Sequence, residues 1–165
     1  MIFYAIITAA IIAADQLVKA WAKTSLMDVG TIPVIKDVFH LTYAENRGAA
    51  FSMLEGQRWF FIVLTSVMLV VIAAAFFKEF FKGIWGKSTL VFIFAGAVGN
   101  FIDRVWLGFV VDMFDFRLID FPIFNVADIF LTVGAAMGII YILFIDKDLF
   151  KEEKKVKNDD SENNG

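Results

Sequence analysis

Asn125 and Asp128 stand three residues apart near the start of an otherwise apolar stretch, FPIFNVADIFLTVGAAMGIIYILFI, Phe121 to Ile145. Asp112, Asp115 and Asp120 lie in the connection just before it. Two carboxylates held close together cannot both ionise cheaply, so they share a proton. The ionised partner can take a proton from water. The protonated partner can polarise a carbonyl or donate to a leaving amine. Such a pair suits hydrolysis of an amide bond at a membrane surface. Asp128 is a natural member; residue chemistry alone leaves the second open among Asp112, Asp115 and Asp120.

Other chemistries lack their residues. The chain has no Cys, which removes disulfides, thiolate metal sites and cysteine nucleophiles. Its single His, His40, cannot build a site of two or three imidazoles, so no metal site is expected. No G-x-S-x-G elbow accompanies that His. The acidic pI of ≈ 5.1 gives no footprint for nucleic acid.

The elements that must position these groups are membrane spans. The 165 residues are 59% hydrophobic and include 20 Phe, more apolar surface than one soluble domain of this length can hide. Trp59–Phe77 runs without a charge between Arg58 and Lys78, enough to cross a hydrocarbon core of roughly 30 Å. Three more spans are expected at about 1–22, 88–106 and 122–145. Met1–Ala14 lacks the basic start of a cleaved signal peptide, and its apolar pattern continues past Asp15 to Trp21.

The short connection Lys78–Lys87 holds three Lys and the stretch from Asp146 onward holds five. This bias places both termini on the cytoplasmic side. Residues 147–165 read as a charged, disordered tail. In the longer connection, Phe39, Leu41 and Tyr43 alternate with His40, Thr42 and Ala44, a period-two strand signal. A small extracytoplasmic β-sheet is therefore expected between the first and second helices, at about 32–55. His40 reads as a solvent-side strand residue. The apolar part of NRGAAFSML, Asn46–Leu54, is expected to lie in the interface.

On this topology the polar residues fall at one depth. Asp15 and Lys19 share a face of the first helix, while Asn100, Asp103 and Arg104 share one on the third. Asn125 and Asp128 open the fourth. Charged residues at a span centre cost about 2.5–3.5 kcal/mol each on insertion scales, so their default reading is a functional site facing the bundle interior. Each has a blander reading: Asp15–Lys19 as a neutralising pair, Asp103–Arg104 as a span boundary, Asn125 as a helix cap. Convergence of all of them at one level favours the site. Gly96, Gly99, Gly134 and Gly138 read as helix-packing positions.

DQLVK (Asp15–Lys19), NRGAAFSML, AGAVGNFIDR (Ala95–Arg104), VVDMFD (Val110–Asp115) and FNVAD (Phe124–Asp128) occur in that order. Together they closely resemble the lipoprotein signal peptidase family, signal peptidase II, over nearly all of Met1 to Ile145. The resemblance implies a mainly α integral membrane protein. Its four transmembrane helices form a peptidase domain, 1–146, in the bacterial cytoplasmic membrane with the site near the extracytoplasmic face. It implies an aspartyl endopeptidase that cleaves diacylglyceryl-modified prolipoproteins before the lipidated Cys, needs no cofactor and is inhibited by globomycin. The catalytic pair corresponds to Asp112 and Asp128. Asn125, Asn100 and Arg104 would hold the pair or the substrate, Asp15 and Lys19 would support it, and Asn46 with Gly48 would border the substrate. One departure is Ile129, where family members often carry Ser or another small residue.

Two other classes fit a small polar membrane bundle. One is a transporter or proton relay through Asp15, Asp112 and Asp128; the other is a non-catalytic adaptor. A relay needs carboxylates spread through the bilayer depth, and the inner halves of these spans offer none.

Overall fold

The computed structural model describes residues 1–48 and 56–145. Four helices are long and apolar enough to cross a membrane. They are α1 (Ile2–Ser25), α2 (Arg58–Phe77), α3 (Gly83–Trp106) and α4 (Val126–Ile140), the last continued by a π-helical turn, Tyr141–Ile145. Two strands, β1 (Thr31–Ile35) and β2 (Phe39–Asn46), follow α1; a third, β3 (Val110–Phe116), follows α3. All three form one antiparallel sheet in the order β1-β2-β3. The charged stretch from residue 146 and the apolar patch at 49–55 lie outside the described residues.

The spans differ from expectation at two ends. α3 starts at Gly83 rather than near 88, because Trp85 and Lys87 are already helical; Lys87 pairs with Glu79 in the preceding turn. α4 starts at Val126 rather than 122. Residues ahead of it are drawn to the sheet, where Phe124 exchanges backbone hydrogen bonds with Phe114 at 2.8 and 3.1 Å. The sheet itself is also larger than the connection between the first two helices predicts, since β3 comes from between α3 and α4. Its sequence, VVDMFDF, does not alternate cleanly, so the period-two signal that finds β2 passes over it.

α3 is the hub. It buries nine residues and packs against each of the other helices, whereas α2 buries only Phe61 and Ile72. Close approach of α3 to its neighbours depends on glycine. A Cβ on Gly96 would sit 2.5 Å from the Ala127 carbonyl, and one on Gly99 would sit 2.5 Å from an Asp15 carboxylate oxygen. Backbones that touch like this gain dispersion where lipid offers no hydrophobic drive. At the far end, Phe81, Ile72, Leu90 and Tyr141 form a separate apolar cluster.

The sheet rests on the C-terminal ends of α1 and α3. Ala22 of α1 and Leu26 just after it pack against Val111 and Met113 of β3, all fully buried. Phe39, Phe114, Phe116, Phe121 and Phe124 stack along the strand edge with centroids 4.7–6.4 Å apart. Each such pair adds about 0.5–1.5 kcal/mol beyond its buried area. His40 is buried, contrary to its expected solvent-side place. It pairs across the ladder with Asp115, and β1 and β3 flank it on both sides. A third strand turned what would have been an edge into the middle of the sheet.

Candidate active site

The fourth helix begins with its own hydrogen-bonded frame. Asn125 is the N-cap: its side-chain oxygen accepts the Asp128 N–H at 3.0 Å, and Asp128 Oδ2 accepts the Asn125 N–H at 3.2 Å. This reciprocal capping box satisfies two amides that a helix start leaves orphaned. A third, the Ala127 N–H, goes to Asp15 Oδ1 at 2.9 Å, across from α1. The blander reading of Asn125 as a cap is therefore correct, and it does not compete with the other.

The same Asn125 reaches the strand. Its amide nitrogen donates to Asp112 Oδ1 at 2.6 Å and to Asn100 Oδ1 at 3.0 Å. Asn100 in turn donates to Asp128 Oδ1 at 2.7 Å and accepts from Lys19 at 2.9 Å. Asn46 donates to the second Asp112 oxygen at 3.1 Å, and its own carbonyl oxygen accepts the Gly48 N–H at 3.1 Å. The Asp112 and Asp128 carboxylates, one from a strand and one from a helix start, are thus both held by Asn125, the first through its side-chain amide and the second through its backbone N–H. Burial and the neighbouring Asp128 charge push the Asp112 carboxyl from its ordinary 3.8 to about 7, against the pull of Asn46, Asn125 and Lys19. At near-neutral pH this pair can hold one proton and carry one charge.

Arg104 closes one side. Its guanidinium donates to the Gly48 carbonyl at 2.9 Å and lies over the Phe61 ring at 4.9 Å. The α3 end that carries it is steadied by Arg58, which donates to the Arg104 and Val105 carbonyls at 2.9 and 2.7 Å. Below Arg104 opens a groove of ≈ 600 Å³. Asn46, Asn100, Arg104 and Asp128 form its polar end; Phe121, Phe124, Leu131 and Val133 form apolar walls. Ile129 also lines it with an apolar side chain. From Asp128 to Thr132 the groove descends one helical turn, about 6 Å, toward the membrane interior.

Most residues singled out in the sequence join this assembly or its supports. Asp15, Lys19, Asn46, Gly48, Asn100, Arg104, Asp112, Asn125 and Asp128 form one connected set. Asp115 does not join it. It accepts from Thr42 at 2.7 Å and Arg117 at 2.9 Å beside His40, and those bonds outweigh its burial and hold its carboxyl below the usual range. Asp120 is exposed in the turn after β3. Two partners carry contacts the sequence reading did not assign: Gln16, which it passed over, donates toward Asp15, Asp103 and the Gly99 carbonyl, and Asp103, which it placed at the level of the site without a specific role, accepts the Val111 N–H at 3.0 Å. The signal for both was the one that found Lys19, a polar side chain inside an apolar span.

Comparison with known proteins points the same way. The profile of the Signal peptidase (SPase) II family matches residues 7–144. A lipoprotein signal peptidase of Clostridioides difficile (strain 630) is 46% identical over 143 residues, 87% of this chain and 96% of that protein. One from Brevibacillus brevis is 46% identical over 154 residues, 93% of this chain and 98% of its own length. One from Streptococcus thermophilus is 48% identical over 135 residues, 81% of this chain and 87% of the relative. A bacterial membrane enzyme solved by the in meso method at 2.3 Å resolution superposes with a TM-score of 0.80 at 34% identity, covering 92% of this chain and 93% of that one. With a family match across most of its length and an architecture shared with a solved membrane enzyme, the chain belongs to the signal peptidase II family.

Proposed function

We propose that the protein is an intramembrane aspartyl endopeptidase that removes the signal peptide from diacylglyceryl-modified prolipoproteins, with Asp112 and Asp128 as its catalytic pair. The observation that carries this reading is the meeting of two carboxylates, from β3 and from the start of α4, on the one residue Asn125, whose side-chain amide donates to Asp112 and whose backbone N–H donates to Asp128 beside the polar end of the groove. The ionised carboxylate takes a proton from water, whose oxygen attacks the scissile carbonyl. The protonated one gives its proton to the carbonyl oxygen, forming a neutral tetrahedral diol. Collapse of the diol breaks the C–N bond, and a proton from the pair passes to the amine of the lipidated Cys. One peptide bond and one water become a carboxyl and an amine, and the pair returns to one proton. Asn46, Asn100 and Asn125 keep the two carboxylates oriented throughout.

The membrane setting supports this substrate class. A diacylglyceryl group anchored in lipid holds the cleavage bond at a fixed depth near the interface. Helix ends at that depth meet the bond without extracting it. Lipid already supplies the acyl burial, worth about 0.8 kcal/mol per CH₂, so discrimination falls to groove shape and to polar contacts from Arg104, Asn100, Asn46 and Gly48. The three Lys of Lys78–Lys87 favour a multi-pass orientation in the bacterial cytoplasmic membrane with both termini inside and the pair near the outer face. A proton relay is less well supported: Asp15 is committed to Lys19 and to the Ala127 amide, and the described inner halves of the spans carry no carboxylate.

The test is incubation of purified protein with a diacylglyceryl-modified precursor, with and without globomycin, which is expected to fill the groove. Cleavage before the lipidated Cys, blocked by globomycin and absent in both Asp112→Asn and Asp128→Asn, is the expected result. Cleavage retained by those two variants removes the dyad.

A further inference from the structure

Two buried carboxylates that do not line the groove hold the chain immediately ahead of the two that are assigned to catalysis. Asp15 Oδ1 accepts the N–H of Ala127, the residue before Asp128, at 2.9 Å. Asp103 Oδ2 accepts the N–H of Val111, the residue before Asp112, at 3.0 Å. The two holders are themselves joined. Lys19 Nζ lies 2.9 Å from Asp15 Oδ2 and 3.3 Å from Asp103 Oδ2. Gln16 Nε2 makes a second bridge, 3.1 Å to Asp15 and 3.2 Å to Asp103. Asp15, Lys19 and Asp103 are at most 3% exposed.

Stability alone does not account for this arrangement. Replacing a buried ion pair by apolar residues is often neutral or stabilising, so three buried charges are weak support for a fold. Precise spacing is a better account, because a displacement of about 1 Å in catalytic geometry can cost on the order of 100-fold in rate. α1, α3, β3 and α4 come from four separate parts of the chain. Without a cross-link, the strand and the helix start could drift independently.

We propose that Asp15, Lys19 and Asp103, bridged a second time by Gln16, form a yoke that sets the separation of the Asp112 and Asp128 carboxylates by holding the backbone one residue ahead of each. The proposal rests on the dyad reading and deepens it. It makes Asp103 and Gln16 positioning residues for the reaction. The link is direct on the α4 side, where Lys19 also donates to Asn100, the donor to Asp128.

The measurement is the pH profile of cleavage by full-length protein in lipid nanodiscs. A pair that shares one proton works between the loss of its first and its second proton, and closer carboxylates make that window wider. Charged groups facing the pair are Asp15 and Lys19 from α1 and Asp103 and Arg104 from α3; β2 contributes the neutral Asn46. Asp103→Asn is expected to lower kcat about 10- to 100-fold with KM and globomycin binding little changed, and to narrow the pH window. Gln16→Leu, which leaves both ion pairs in place, should do the same more weakly; it carries the test if Asp103→Asn does not fold. A wild-type kcat and window in either folded variant overturns the yoke. So does a loss of activity that comes with lost globomycin binding and an unmoved window, since that is a collapsed groove. Asp112→Asn and Asp128→Asn run alongside: if both are dead while Asp103→Asn and Gln16→Leu behave as wild type, the yoke falls and the dyad stands; if they cleave, both fall.

Discussion

α2 and α3 look alike by length and both qualify as spans, yet they do opposite work. α2 has a mean hydropathy of 2.8 over its best window against 1.3 for α3, and it keeps most of its surface for lipid. α3 gives up hydropathy for Gly96, Gly99, Asn100, Asp103 and Arg104, and buries much of its C-terminal half against its neighbours. The helix with the highest hydropathy, α2, gives no side chain to the groove, whereas α3, with the lowest, gives it Asn100 and Arg104. A helix that can afford polar residues is one whose neighbours cover them.

The comparison is sharpest where effects are largest. Asp112→Asn and Asp128→Asn are expected to reduce cleavage of a lipidated precursor by at least about 100- to 10,000-fold, the range for removing a general acid–base group. Insertion into the membrane should be unchanged. Next comes Gly99→Ala on α3. The new methyl would meet an Asp15 oxygen at 2.5 Å, and overpacking costs typically 1–3 kcal/mol, about 1–3 here too. Activity should fall with thermal stability, because Asp15 cannot give way without releasing the Ala127 amide. A variant as stable and active as the parent would mean that α3 is not the tightly fitted hub described.

A smaller effect has the opposite sign. Asp112 carries a folded-state value raised to about 7 from an ordinary 3.8. Between those two pH values the folded chain keeps a proton that the unfolded chain releases, so stability falls as pH rises through that window. Asp112→Asn should therefore melt higher than the parent at pH 8, by an amount that shrinks toward pH 4. An equal shift at both pH values would show that the carboxylate carries no such penalty. Smallest of all, Val67→Leu or Val70→Leu on the lipid-facing side of α2 should stay within about 0.5 kcal/mol and leave cleavage untouched. A large loss there would break the contrast between the two helices.

Most of the site was readable because polar residues in apolar spans are conspicuous. Asp15, Lys19, Asn100 and Asp128 stood out for that reason, and the order of motifs supplied the choice of Asp112 that residue chemistry left open. What stayed hidden depended on pairing between distant segments. β3 has no period-two pattern, so the third strand could not be seen, and with it went the burial of His40 and the separate fate of Asp115. The start of α4 was placed four residues early because Phe121–Phe124 is as apolar as a span; only its bonds to Phe114 tie it to the sheet. Gln16 and Asp103 were visible as residues, but their partners, Gly99 and Val111, lie 83 and 8 residues away through backbone atoms that carry no sequence signature.

Lys19 deserves a last consequence. Its ammonium donates to Asn100 at 2.9 Å and stands 2.9 Å from an Asp15 oxygen and 3.3 Å from an Asp103 oxygen. With two carboxylates and a carboxamide around it and only 3% exposure, this cation is matched inside the bundle rather than by solvent. An ammonium is compact and can turn its hydrogens toward acceptors on different sides. A flat guanidinium sends its hydrogens out in one plane. Arginine in this place would keep the charge and lose the shape.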